Sequence, residues 1–491
     1  MRQWLTVLVL SSLMVVSASP VVSAQIGQPD IIQEHWYHSY ATLTLDLNEW
    51  SDDYPEIVEM FSIGQTELGR EIWMLQISDW EGGACLSSEF EGCEHFKEIG
   101  EGELERKEVV YIDGGHHGNE HLGTELAFLV AEYYIEGWAN GDQAVIDLLA
   151  KTELHILIML NADGNDFDTR WNVNQVDLNR NYDHYWNTCD STQPGSSAFS
   201  ESETLANSIY MNEVVPDADL YITMHTGVWI MLYPWGKWPE QPSDWEMYHY
   251  IRDEVNSNIS DIPIRNANQG LYPNCGTSRD YGYGIMGYPT FTFETDDEQF
   301  LLGTVEALSD RLGEEMDVMH YLIENVWYWR ARLVVDSLEV EDGKVRLSVS
   351  NLGHSSTSNA TLLYFEDEDS MEFWLPGSNE PVEVTGSMDI HERKSDFNFS
   401  TPGYGFAVNA TNSTVTTLDF TGAPISSEGV WALYYQKRVI DSSMWTSELV
   451  NEGVAEVRVD DSGLLPAPTM LLVLIAFALA IIDRRNTRFE Q

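Results

Sequence analysis

Positive charge is what this chain has least of: 25 Lys and Arg stand against 80 Asp and Glu in 491 residues, a formal net charge of −55. Phosphate backbones are bound by clustered cations, so nucleic acid is excluded as a partner. The acidic surface keeps the chain soluble, most comfortably where salt screens its self-repulsion. No G-x-S-x-G occurs, which leaves a serine nucleophile elbow without a candidate. One G-x-G-x-x-G does occur, at Gly282, Gly284 and Gly287, but it precedes a strand instead of joining a strand to a helix, the wrong setting for a dinucleotide. No internal repeat is found. Disorder is also excluded, because 43% of the residues are hydrophobic and 12% aromatic.

Cysteine is scarce as well. Cys85, Cys93, Cys189 and Cys275 are the whole set, with no C-x-x-C among them. An even set in an exported chain makes disulfides the default, and proximity favours Cys85 with Cys93 and Cys189 with Cys275. Export is read from the first 24 residues, where Arg2 precedes an apolar run and a small-residue site ends at Ala24, the pattern of a secretory signal in preference to a buried helix. At the other end, 464–482 is uncharged and is followed by Arg484, Arg485 and Arg488. Its length suits a membrane span, with the arginines placing 483–491 on the cytoplasmic side and the body outside. The expectation is an exported protein anchored to the cell membrane by one C-terminal helix. A processed sorting signal is the other reading.

The length accommodates two domains. Up to about residue 330, strand-like runs alternate with helix-like stretches, the texture of an α/β sheet covered by helices. "EVVYIDG", "ELHILIML", "ADLYITMH" and "PTFTFET" read as strands, and "HLGTELAFLVAEYYIEGW" as the helix after the first of them. A later helix carries Val305, Leu308, Leu312, Met316, Met319, Leu322 and Val326 as one buried stripe. After Arg332 the period becomes two, as in "KVRLSVS", with turn signals such as "EDGK". An antiparallel, Ig-like β-sandwich over 331–460 is expected.

The chemistry gathers in "YIDGGHHGNEHLG", residues 111–123. Two metal readings are open. In one, His117 and His121 share a helix face with Glu120 as the base, which requires a helix through Gly118 and Asn119, where glycine is costly. In the other, His117 and Glu120 are both ligands, presented from a loop at the carboxyl end of a strand, the end that α/β sheets use for ligands. His225, ending the strand "ADLYITMH", supplies a third ligand, and three protein ligands plus water is the usual catalytic zinc arrangement. Glu294 closes "FTFET", alternating with Phe291 and Phe293, and near a metal such a carboxylate acts as a general base.

The succession "HHGNE", "LNADGND", "TRWNVNQVDLNRNY", "GSSAFSESET", "TMHTGVWIMLYPWG", "LYPNCGTSRDYGYG" and "FTFET" resembles the zinc metallocarboxypeptidases of the carboxypeptidase A type. The resemblance implies that 25–330 is a catalytic domain with a mixed central sheet flanked by helices, and that it holds one zinc ion, Zn2+, through His117, Glu120 and His225. It further implies that Asp177 orients His117, that Glu294 is the general base, and that Arg170 stabilises the oxyanion. Asn179, Arg180 and Tyr272 would grip the terminal carboxylate of a peptide or protein substrate, so that one residue is removed from the C-terminus.

In that family the residue before the aspartate of "SRD" lies at the floor of the pocket for the last side chain. Here it is Arg279, and a cation there implies a preference for C-terminal Glu or Asp, unless Asp280 neutralises it. Gln175 stands where the signature commonly has glycine, a matter of a turn. No large inhibitory pro-segment is expected between Ala24 and the catalytic domain. The rival functions are a cell-wall peptide metallopeptidase of the same fold and a catalytically silent peptide-binding protein.

Overall fold

The computed structural model describes residues 37–80, 97–99, 103–105, 107–190, 193–216, 218–295, 305–341, 344–365, 404–419 and 430–435. The expected signal at 1–24, the Cys85–Cys93 pair and the segment 464–491 lie outside the described residues. The chain first forms α1 (Tyr40–Asp53), β1 (Val58–Gln65), β2 (Glu71–Ile77), the short β3 (Lys97–Ile99) and β4 (Glu103–Glu105), then β5 (Glu108–Gly114). There follow α2 (His121–Ala139), α3 (Gln143–Leu149), β6 (Thr152–Leu157), α4 (Ala162–Asp166), α5 (Ser202–Glu213), β7 (Leu220–Thr226) and β8 (Ile230–Tyr233). The remaining elements of this part are α6 (Trp245–Asn258), β9 (Ile264–Asn266), α7 (Ala267–Gly270), α8 (Ser278–Gly284), β10 (Thr290–Thr295) and α9 (Val305–Glu324).

Eight of these strands form one sheet in the order β1-β2-β6-β5-β7-β10-β8-β9. The middle four are parallel, while β2 and β8 join them antiparallel, so the sheet is mixed as expected. Strands β5, β6 and β7 are buried at every position, because helices cover both faces. Alternation along β5 divides the core: Val110 and Ile112 join Leu126 and Val130 of α2, whereas Val109 and Tyr111 join Tyr210 and Met211 of α5. The stripe on α9 is buried where described, at Leu312, Met316, Met319 and Leu322.

The chain leaves β5 toward β6 on one side and later returns to β7 on the other. Strand order therefore reverses between β5 and β7, and the crevice at their carboxyl ends is where α/β sheets bind ligands. Helix α2 crosses this point closely. A Cβ on Gly123 would come within 2.9 Å of the His225 backbone nitrogen, so only glycine lets the helix start against the end of β7.

Beyond α9 come β11 (Leu333–Glu341), β12 (Lys344–Asn351), β13 (Thr357–Phe365), β14 (Tyr404–Val408), β15 (Ser413–Asp419) and β16 (Val430–Tyr435). They make two three-stranded antiparallel sheets, β11-β12-β15 and β14-β13-β16. In β12 the buried positions Val345, Leu347 and Val349 alternate with more exposed ones, which is the period read from the sequence. This part is anchored at the end of the sheet away from the crevice. Arg330 donates to Glu108 at 3.0 Å and lies 3.7 Å from Asp219, and Arg332 also pairs with Glu108.

The expectation of a membrane helix is corrected. Among the described residues no helix is long and apolar enough to cross a membrane. The long helices are core helices: α2 carries Glu125, Glu132 and Glu136, and α9 buries a single stripe. The transmembrane element of the fold class, the membrane as a partner and the membrane-anchored location therefore have no support.

His38, buried just before α1, is latched to the buried Glu125 of α2 and to the partly exposed Asp46 of α1. His38 Nδ1 lies 2.7 Å from Glu125 and its Nε2 3.1 Å from Asp46, while the His38 backbone N–H donates to Glu125 at 2.6 Å. Burial alone would lower the imidazole pKa, but Glu125 and Asp46 outweigh it and raise it to about 10. A group raised in the folded state stabilises fully below its unfolded value near ~6.5, and that contribution is lost as pH rises through the folded value. The expected outcome for His38→Gln is a drop in melting temperature that is largest near about pH 6 and shrinks toward about pH 10, followed by thermal circular dichroism. A pH-independent deficit contradicts the latch.

Candidate metal centre

Helix α2 begins at His121, so His117 and Glu120 sit in the loop between β5 and α2. This decides between the two readings of the histidine-rich stretch. His117 and His121 do not share a helix face, and the loop reading holds. The loop is fastened by the neighbouring strand end, where Asn161 Nδ2 donates to the His116 carbonyl at 3.2 Å. On the other side of the crevice, His225 lies within β7, paired in register with Glu294 of β10.

The three donors converge. His117 Nδ1 is 2.7 Å from Glu120 Oε1, His225 Nδ1 is 2.9 Å from Glu120 Oε2, and the two imidazole nitrogens are 3.3 Å apart. All three side chains are buried. Among the described residues this is the one His/Cys/Asp/Glu group arranged to hold a metal ion, with its ligand atoms within 4.8 Å of one another. The outer nitrogens are also engaged. Asp177 Oδ1 lies 3.0 Å from His117 Nε2, which leaves Nδ1 as the lone-pair atom facing inward. His225 Nε2 lies 3.1 Å from Asn179 Nδ2 and 3.4 Å from Thr223 Oγ1. When Nδ1 binds a cation, the Nε2–H has the Thr223 hydroxyl as its acceptor. Two imidazoles and a carboxylate are the nitrogen and oxygen donors that suit one zinc ion.

A zinc carboxypeptidase family model matches residues 45–312. The chain belongs to this family. Carboxypeptidase E of Caenorhabditis elegans is 30% identical over 190 residues, which are 36% of this chain and 36% of that protein. Carboxypeptidase B of Astacus astacus is 22% identical over 289 residues, 53% of this chain and 86% of that one. A solved carboxypeptidase A from Helicoverpa armigera aligns at 23% identity and a TM-score of 0.45, covering 59% of this chain and 74% of that one.

Asp177 and Arg170, also expected at the site, lie against the ligands. Burial would raise the Asp177 carboxyl, but His117, Arg180 and Arg170 hold it well below the usual carboxylate range. Glu120 is likewise kept ionised against burial by His117 and His225. Arg170 spans both carboxylates, donating from Nη1 to Glu120 at 2.9 Å and from Nε and Nη2 to Asp177 at 3.1 and 2.9 Å. Glu294 is different. Its carboxylate has no hydrogen-bond partner among the described residues, and burial together with the Glu120 charge pushes its pKa up to about 7, with His225, Arg170 and Arg279 pulling it down. A carboxylate poised there can take and return a proton near neutral pH.

Arg180 reaches Tyr272, its Nη2 donating to the phenol oxygen at 3.2 Å, and its Nη1 donates to the Asn179 carbonyl at 2.6 Å. Tyr272 is 52% exposed. Arg279, buried in α8, donates from Nε to Asp280 at 3.0 Å, from Nη1 to Thr292 at 3.3 Å and from Nη2 to Asn274 at 2.8 Å. Asp280 does pair with it, and it also accepts the Gly236 and Lys237 backbone N–H groups. One N–H remains on each terminal nitrogen of Arg279.

Sequence reasoning missed Asn274, Thr292 and Gly236. A Cβ on Gly236 would lie 2.1 Å from Asn274 Oδ1 and 2.2 Å from Arg279 Nη2, so glycine makes room for the guanidinium. His116 is fully buried beside Tyr182 (2.8 Å) and Asp113 (3.6 Å), because the loop turns inward after Gly115. Gln175 does occupy a turn, with φ of 63°.

Replacing Asp177 with Ala frees the His117 ring and releases Arg170. Zinc affinity is expected to fall by ~10–100-fold, measured by dialysis against a competing chelator, with all three ligands intact. Unchanged affinity contradicts the role of Asp177 in orienting His117.

Proposed function

We propose that the protein is a zinc-dependent exopeptidase that removes the C-terminal residue of peptides and favours Glu or Asp at that position. The observation that carries the reading is the meeting of His117, Glu120 and His225 beside Glu294, whose carboxylate has no hydrogen-bond partner among the described residues. The chemistry the ion supplies when bound is Lewis-acid activation of water and of the scissile carbonyl. Glu294 accepts the proton of the attacking water on its carboxylate and returns it to the departing amine, a task suited to its raised pKa. Arg170, at 2.9 Å from a ligand oxygen, donates N–H groups toward the oxygen on which charge develops. Asn179, Arg180 and Tyr272 hold the substrate's terminal carboxylate, Arg180 by a two-pronged pair. That grip restricts cleavage to the last peptide bond.

The acidic preference is supported by Arg279. Its charge lowers the Glu294 pKa, and its Nη1 donates to Thr292, two residues before Glu294 on β10. Asp280 balances its charge, yet its remaining N–H groups still demand an acceptor, and a leucine side chain offers none. On this reading the catalytic unit is 25–330, and 331–460 is a separate sandwich that holds no site residue.

Peptides ending in Glu, Leu and Lys, supplied to the zinc-loaded protein, test the reading. The Glu peptide is expected to have the highest kcat/KM. Arg279→Met is expected to remove about 10–100-fold of its advantage over Leu, the worth of a hydrogen bond to a charged group. Glu294→Gln is expected to lower kcat by ~10²–10⁴-fold with zinc retained. Equal turnover of the three peptides rejects the preference, and a fully active Glu294→Gln rejects the mechanism.

A further inference from the structure

We infer that the loop 272–277, tethered by the Cys189–Cys275 disulfide, is the positioning element of substrate recognition, with Asn274 aiming Arg279 into the pocket and the disulfide holding Asn274. The inference rests on the reading of Arg279 as the cation that selects the C-terminal side chain.

Asn274 is buried, and both ends of its amide are committed. Its Oδ1 accepts from Arg279 Nη2 at 2.8 Å, and its Nδ2 donates to the Tyr272 carbonyl at 2.7 Å. Its backbone N–H donates to the Gly236 carbonyl at 3.0 Å. Turning the amide over would set Nδ2 against the guanidinium, two donors face to face, so the orientation is fixed. Two residues earlier, Tyr272 receives the Arg180 hydrogen bond at 3.2 Å. Two residues later, the Gly276 carbonyl accepts from the Tyr182 N–H and the Gly276 N–H donates to the His184 carbonyl. Thr277 then caps α8, accepting from the Asp280 N–H at 3.2 Å, and α8 carries Arg279. Six consecutive residues thus touch the carboxylate grip on one side and the pocket cation on the other.

Cys275 lies in the middle of them, buried and bonded to Cys189 across 86 residues of sequence. The partner segment is itself fastened. Lys237 Nζ donates to Thr188 Oγ1 at 3.0 Å while lying 3.8 Å from the Tyr185 ring centre. None of the zinc ligands, nor Glu294, belongs to these segments. Loss of the tether should therefore impair recognition and leave the metal and the bond-breaking groups in place.

The experiment compares Asn274→Ala, Asn274→Asp and the double variant Cys189→Ser/Cys275→Ser with the wild type. KM and kcat are measured on Glu- and Leu-terminated peptides, and Kd for both peptides in the Glu294→Gln background. Asn274→Ala is expected to cut the Glu-over-Leu ratio by about tenfold through KM, the loss of one charge-assisted hydrogen bond. Asn274→Asp, of the same size, pairs with Arg279 and is expected to abolish the ratio. The double variant is expected to raise KM for both peptides by about tenfold with little change in kcat and in bound zinc, because Tyr272 and Arg180 lose their register.

Unchanged ratios in both Asn274 variants overturn the inference, as does a double variant that loses kcat with KM preserved. If the double variant does not fold, the Asn274 pair decides. A wild type that neither cleaves nor binds Glu-terminated peptides fails the functional reading itself, and this outcome is distinct from a selective wild type with indifferent variants.

Discussion

Two imidazole nitrogens and a carboxylate, all buried and aimed at one another within 3.3 Å, are the constraint on which the rest of this structure depends. Such a cluster is costly in a low-dielectric interior unless its lone pairs share a cation. The surroundings are built to hold it nonetheless. Asp177 fixes one ring, Thr223 offers an acceptor to the other, and Arg170 bridges Glu120 to Asp177. The sheet provides the rigid base: β5 and β7 are adjacent and parallel, so their carboxyl ends open on one crevice, and the close passage of Gly123 over His225 fixes the distance across it.

Division of labour follows from that geometry. Chemistry sits on strand ends, at His225 and Glu294 in register on β7 and β10, where packing on both faces restricts movement. The residues proposed for recognition lie in the segments 170–180 and 272–277 and at the start of α8, stabilised by caps, a disulfide and buried side-chain amides. Loops carry variation more easily than strands. Arg279, at the start of α8, and Gly236, after β8, lie on that part of the scaffold and not on the strands.

Much of this was legible in the sequence because the central strands are buried on both faces and read as continuous apolar runs ending in His225 and Glu294. The helix after β5 was legible too, but not whether it included His117 and Glu120. That depends on Asn161 and on the approach of β7, contacts remote in sequence. Asn274 and Thr292 escaped notice for the same reason. A polar residue in a loop reads as solvated until its partner is known. The Cys189–Cys275 pair was inferred from proximity and is present. Period-two alternation revealed β12, although its pairing with β15, more than sixty residues on, was not readable. The membrane helix expected from the uncharged 464–482 stretch has no support, because no helix among the described residues is long and apolar enough to cross a membrane.

The central claim is that side chains far apart in sequence bind one ion together. X-ray absorption at the zinc edge of the fully loaded protein tests it most directly. The account predicts two imidazole nitrogens at ~2.0–2.1 Å and carboxylate oxygen at ~2.0–2.2 Å, with one imidazole lost in His225→Ala. A shell with a single imidazole, or one unaltered by the loss of His225, would contradict it.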